Sequence, residues 1–199
     1  MRILVVGAKG AIGVAACAEL GSRHELVTAG RTSGDCRVDM ANIDAVDQMY
    51  TEVGPVDAVI ATAGDVRFCR LTEHTNETLR YGLQEKVMGQ VNLVLAGLTR
   101  VRDAGSFTLT SGVLDRDPVR MGVGAALTNG ALRGFVVGAA IEMPRQLRIN
   151  VVSPGLLEES LARYGALFPG HVTVSSERVG LAYAKSVEGA LTGQEIVVE

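Results

Sequence analysis

Three glycines, Gly7, Gly10 and Gly13, stand between an apolar run at residues 2–6 and a second one at residues 11–20. A glycine turn at a first strand-to-helix crossover lets backbone amides and the positive helix end approach a pyrophosphate, where a Cβ or a carboxylate would interfere. The spacing is G-x-x-G-x-x-G, not the commoner G-x-G-x-x-G, so position carries the assignment more than pattern does. Gly7, Gly10 and Gly13, with Lys9, Ala11 and Ile12 between them, are candidate dinucleotide-binding residues. About 20 positions further on, an acidic residue usually takes the ribose hydroxyls of NAD, whereas an arginine accommodates the 2'-phosphate of NADP. Here the segment reads T-A-G-R-T-S. Arg31 occupies the place of the carboxylate, with the hydroxyls of Thr32 and Ser33 beside it. A planar guanidinium suits a phosphate dianion, so NADP(H) is the expected cofactor and NAD the less favoured one.

These residues need a scaffold, and the hydrophobic periodicity supplies one. Strands are expected at residues 2–6, 25–29, 36–38, 56–62, 107–110, 148–152 and 195–198, with helices at 11–20, 77–100, 125–143 and 177–187. A further helix begins at about Asn42, where Ile43, Val46, Met49, Tyr50 and Val53 recur at helical spacing and Asn42 can cap the free amides. Val-, Ile- and Leu-rich strands alternating with helices imply a single α/β domain of Rossmann type, doubly wound around a mostly parallel sheet. The segment 125–143 is apolar or small almost all round. One face on a sheet would leave a polar side, so a homodimer or homotetramer is expected, the alternative being a helix overlaid by the chain's own tail.

Composition narrows the function classes. The chain has 199 residues and a formal net charge of -3, with no basic stripe to track a phosphate backbone, which argues against nucleic acid as a partner. Lys9 and the glycines interrupt the apolar opening, which therefore fits a strand and turn better than a signal or membrane segment. Cys17, Cys36 and Cys69 are odd in number and lack ligand spacing, as expected in a reducing cytoplasm. His24, His74 and His171 share no ligand spacing, and no metal is assigned.

The motifs taken together resemble the short-chain dehydrogenase/reductase superfamily over the whole chain and in the right order. G-A-K-G-A-I-G is similar to that family's T-G-x-x-x-G-x-G, with Val6 and Ala11 departing from it. Val38-Asp39-Met40 resembles the strand end that touches adenine, and Ala61-Thr62-Ala63-Gly64 resembles N-N-A-G. Arg148-Ile149-Asn150-Val151-Val152-Ser153-Pro154-Gly155 is similar to R-V-N-x-V-x-P-G, and Thr192-Gly193-Gln194 also fits. The resemblance adds Asp39, Met40, Ala63, Gly64, Asn129, Pro154 and Gly155 to the cofactor-binding candidates.

The departures lie where the family does its chemistry. Aligning A-L-R-G-F with the family's second long helix puts Ala125 in place of the tyrosine and Asn129 in place of the lysine of Y-x-x-x-K, a motif found nowhere in this chain. Tyr81 and Lys86 are one residue too far apart, about 140° around an α-helix. The family's helix-four asparagine falls on Lys86, and its serine on Gly112, one residue beyond Ser111. Lys86 and Ser111 are thus the catalytic candidates, an ammonium and a hydroxyl that could polarise a substrate oxygen. Tyr164 and Asp115-Arg116-Asp117 are weaker candidates. Two readings stay open: an oxidoreductase with a non-standard active site, and a protein that binds the dinucleotide without turnover. The substrate is not legible.

Overall fold

The computed structural model describes all 199 residues. Seven strands form one parallel sheet in the order β3-β2-β1-β4-β5-β6-β7. The strands are β1 Arg2–Val6, β2 Glu25–Gly30, β3 Cys36–Arg37, β4 Val56–Ala61, β5 Val101–Thr110, β6 Arg148–Pro154 and β7 Glu195–Val198. The principal helices are α1 Ala11–Leu20, α2 Ile43–Val53, α3 Asn76–Gly82, α4 Gly89–Gly97, α5 Val123–Ala140, α6 Leu161–Tyr164 and α7 Ser176–Glu188. Strand order reverses at β1 and β4, which opens a crevice beyond their carboxyl ends.

Period-2 alternation sends successive side chains to opposite layers. On β1, Leu4 and Val6 join the core under α2, α4 and α5, whereas Ile3 and Val5 join the core under α1 and α7. The helix starts are set locally. Asn42 caps α2 by accepting from the amides of Asp44 at 3.0 Å and Ala45 at 3.3 Å, and Ser175 caps α7 by accepting from Arg178 at 3.3 Å.

Several expected boundaries are corrected. The helix expected over 77–100 is interrupted: α3 passes through a wider π turn, Leu83–Met88, before α4 begins. Strand β5 starts at Val101, six residues before the apolar run that announced it. Helix α5 is displaced toward the N-terminus, from 125–143 to Val123–Ala140. By length and composition α5 could cross a membrane, yet it packs on the sheet through fully buried Leu132 and Val136. Its opposite side leaves Leu127 at 42%, Val137 at 57% and the following Ile141 at 87% exposure, so the chain's own tail does not cover that face.

Candidate functional site

The glycine turn divides into two roles. Gly7 has φ +92°, and a Cβ there would lie 2.7 Å from the Ala63 amide nitrogen; a Cβ at Gly13 would lie 2.2 Å from the Gly7 carbonyl oxygen. Both positions are required by the fold's own packing. A Cβ at Gly10 would meet nothing closer than 3.5 Å, and Gly10 lines the larger cavity. The space kept open at Gly10 at the start of α1 fits a pyrophosphate set against the helix end. Lys9 is solvent-exposed beside it.

Two cavities extend from this turn along the carboxyl edge of the sheet and share Gly64. The smaller, about 210 Å³, is lined by Gly30, Arg31, Met40, Ala63 and, less expectedly, Asp65 and Glu85. Buried Met40 and Val38 supply an apolar wall for a flat base. The Arg31 guanidinium donates through Nη2 to Glu85 Oε2 at 2.5 Å and to Asp39 Oδ1 at 3.1 Å, while Nε and Nη1 make no hydrogen bond. Asp39 also accepts from the Ala41 amide at 3.2 Å, so its carboxylate meets this segment's backbone and Arg31. Ser33 lines neither of these cavities; its carbonyl oxygen would lie 2.9 Å from a Cβ at Gly30.

The larger cavity, about 600 Å³, lies beyond β4, β5 and β6. Ala11, Ile12, Gly64, Pro154 and Gly155 line it, together with the aromatic rings of Phe68, Tyr164 and Phe168. At its floor the three candidates Lys86, Ser111 and Asn129 meet. Lys86 Nζ donates to Asn129 Oδ1 at 2.6 Å and to the Ser111 carbonyl oxygen at 3.0 Å. Asn129 in turn donates from Nδ2 to the Gly112 carbonyl oxygen at 3.0 Å. The glycines make room for this triad: a Cβ at Gly64 would strike Lys86 Cγ at 2.7 Å, and one at Gly112 would press on Asn129 Nδ2 at 3.1 Å. Burial pushes the Lys86 ammonium down to about 8, and the negative Asp115 opposes that shift. Ser111 lines the same cavity and is 4% exposed; its Oγ lies 3.5 Å from the Val152 carbonyl oxygen, and its own carbonyl accepts from Lys86.

Ala125 is 4% exposed and packs with Val113 and Leu114, so no hydroxyl stands at that point of the cleft. Tyr81 does not join Lys86; its hydroxyl donates to Asp65 Oδ2 at 2.6 Å. The loop carboxylate Asp115 is turned inward, 3.8 Å from Arg116 and 4.0 Å from Arg133, and Arg116 donates to Ser153 Oγ at 2.7 Å. That cluster ties the loop after β5 to β6 and β7.

Two positions escaped sequence reading. Glu85 sits beside Lys86 on the π turn and faces the other cavity. Gln90 is fully buried; it accepts from the Thr110 amide at 2.8 Å and donates to the Thr110 carbonyl at 3.0 Å, fixing the end of β5 just before Ser111. A lone glutamine inside the apolar stretch V-M-G-Q-V was the only signal for it.

A seven-stranded doubly wound sheet with a glycine turn at its first crossover and two cavities along its carboxyl edge is the architecture of a dinucleotide-binding domain. Residues 3–115 match the family described as the NAD dependent epimerase/dehydratase family. The chain belongs to that family, within the short-chain dehydrogenase/reductase superfamily. It is 46% identical to the protein lin1944 from Listeria innocua, with a TM-score of 0.98 and complete coverage of both chains. A small-chain dehydrogenase solved in complex with NADPH is 25% identical, with a TM-score of 0.87, covering 100% of this chain and 96% of the other. An uncharacterized oxidoreductase of Bacillus subtilis (strain 168), YmfI, is 26% identical over 130 residues, 63% of this chain and 53% of that one. The chain spans 53% to 65% of the length of the curated relatives it matches.

Proposed function

We propose that this protein is an NADP(H)-dependent oxidoreductase whose reacting site is organised by Lys86. The observation that carries the reading is the contact of 2.6 Å between Lys86 Nζ and Asn129 Oδ1. In the pattern the chain resembles, the asparagine belongs on the helix of Lys86 and the lysine on the helix of Asn129. Both residue types are present here with their helices exchanged, and their side chains still meet, so the cleft keeps a cation. NADP(H) would lie along the shared edge, the adenosine against Met40 and Arg31 and the pyrophosphate at Gly10, and would exchange a hydride with the substrate. Lys86 would hold the substrate oxygen by its ammonium, stabilise negative charge developing there and supply the proton. With its pKa near 8 the ammonium is charged at pH 7 and is a stronger acid than an ordinary lysine. The small-chain dehydrogenase solved with NADPH supports the cofactor class, and Arg31 supports the phosphorylated form.

A second reading, dinucleotide binding without turnover, is favoured by Ala125, which offers no proton where the family has its tyrosine. The two separate in one experiment. NADPH is titrated against the purified protein, and its absorbance is then followed with a broad carbonyl panel beside Lys86→Met, Ser111→Ala and Tyr164→Phe. Turnover lost in Lys86→Met and kept in Ser111→Ala supports the first reading; binding without turnover across the panel supports the second; turnover lost only in Tyr164→Phe assigns the acid to Tyr164.

The working form is a homodimer or homotetramer joined through α4 and α5. Leu95 at 52% and Val137 at 57% exposure support this, since a second copy would remove both from water. The cytoplasm is the proposed location, because the three cysteines are unpaired.

A further inference from the structure

We propose that Glu85 is a specificity-determining residue of the adenosine pocket, a fixed counter-charge that holds Arg31 and limits how strongly the site favours a 2'-phosphate. The inference rests on the adenosine moiety lying in the smaller cavity, as argued above. Arg31 is the one cation lining that cavity, and Glu85 and Asp65 line it too. The Arg31 side chain is 58% exposed, but Nη2 is already given to two carboxylates, and the contact to Glu85 at 2.5 Å is the shorter. A phosphate arriving at Arg31 must compete for that nitrogen and meets the Glu85 charge at close range, whereas the neutral ribose of NADH meets a hydrogen-bond acceptor.

Glu85 is poorly placed to withdraw. Its neighbours on the π turn are tied down on both sides: Gln84 Nε2 donates to the Ala41 carbonyl oxygen at 2.9 Å, and Lys86 Nζ is held by Asn129 and Ser111. The backbone that carries Glu85 is therefore anchored to the adenosine side through one neighbour and to the reaction cleft through the other. Its side chain is 19% exposed, against 49% for Asp39, so its charge is the less screened of the two carboxylates on Arg31. Removing the Glu85 charge frees an Arg31 nitrogen and deletes a repulsion felt only by the phosphorylated cofactor.

The test measures dissociation constants of the full chain for NADPH and NADH, unmodified and as Glu85→Gln, with Glu85→Ala and Asp39→Asn in parallel. Glu85→Gln is expected to tighten NADPH about tenfold while NADH stays within about twofold or weakens. Glu85→Ala moves the NADPH:NADH ratio in the same direction, which separates loss of charge from new bonds made by the amide. Asp39→Asn moves it less. The fragment 2',5'-ADP, which carries the phosphate but no nicotinamide, shows the same gain as NADPH, placing the effect at Arg31 and not at Lys86. A ratio unchanged within about twofold in both Glu85 variants, with native circular dichroism, overturns the proposal and leaves the oxidoreductase reading standing. Failure of the unmodified protein to bind either nucleotide overturns both.

Discussion

The adenosine half and the reaction half of the carboxyl edge are built on opposite terms. In the first, backbone decides: a Cβ added at Gly7 or Gly13 would lie 2.7 Å or 2.2 Å from another main-chain atom, so no side chain fits there. In the second, side chains decide. Lys86, Asn129 and Gln90 span helix to helix and helix to strand, and each bond joins residues 20 or more positions apart. A backbone-built site tolerates little change and keeps its motif; a side-chain-built site can exchange partners between two helices and keep its charge. The comparison explains why the glycine turn keeps Gly7 and Gly13 despite departures at Val6 and Ala11, while Lys86 and Asn129 stand exchanged at the other end of the cleft.

The largest effect that would break this contrast is on turnover. Lys86→Met should lower the rate on any accepted carbonyl by about 10²- to 10⁴-fold, the usual worth of a positioned acid, while NADPH affinity changes by less than about tenfold. The exchanged double variant, Lys86→Asn with Asn129→Lys, should recover more rate than either single variant. If both singles and the double are equally impaired, the charge is not what the two helices share.

The glycines test the other half. Gly13→Ala should lower unfolding free energy by about 2–4 kcal/mol in urea, because the added carbon has no room beside Gly7. Gly10→Val should leave the urea midpoint close to that of the unmodified protein and remove cofactor binding. Loss of stability at Gly10, or none at Gly13, would reverse the roles assigned to them.

A smaller effect concerns the outer face of α5. Val137→Glu, at an exposed site with 57% accessibility, should cost the isolated chain about 0.5 kcal/mol or less and shift light scattering from oligomer toward monomer at micromolar concentration. An unmodified protein that is already monomeric there contradicts the proposed assembly.

A further effect is a pH dependence, and its sign follows from Lys86. Its folded pKa, about 8, lies below the ordinary value of 10.5, so between those limits the unfolded chain binds more protons. Stability contributed by this group therefore rises as pH climbs from about 8 to 10.5 and is absent below both values. Urea midpoints at pH 7.5 and 9.5 check this, as the difference between unmodified protein and Lys86→Met should move in favour of the unmodified protein at the higher pH. A difference that stays constant would place Lys86 in a wetter environment than its burial implies.

The glycine spacing, the apolar strand runs and the Asn42 cap act within a few residues, and the sequence alone therefore determined β1, α1, α2, α7 and the doubly wound class. Arg31 and Gly10 are singled out as candidates for the same reason, since each is defined by its offset from the first strand. Tertiary structure alone decided three things. The π turn at Leu83–Met88 interrupts a stretch whose periodicity reads as one helix, because distant partners of Gln84 and Lys86 at Ala41, Ser111 and Asn129 favour a wider turn over one more α-helical bond. Ser111 meets Lys86 through its carbonyl because the end of β5 is held by Gln90 and β6, which no local pattern encodes. The capture of Arg31 by Glu85, 54 positions away, depends on the sheet bringing the end of β2 beside the turn that precedes α4. Local steric rules propagate along a chain, whereas the pairing of charges across it waits on the packing that sets their distance.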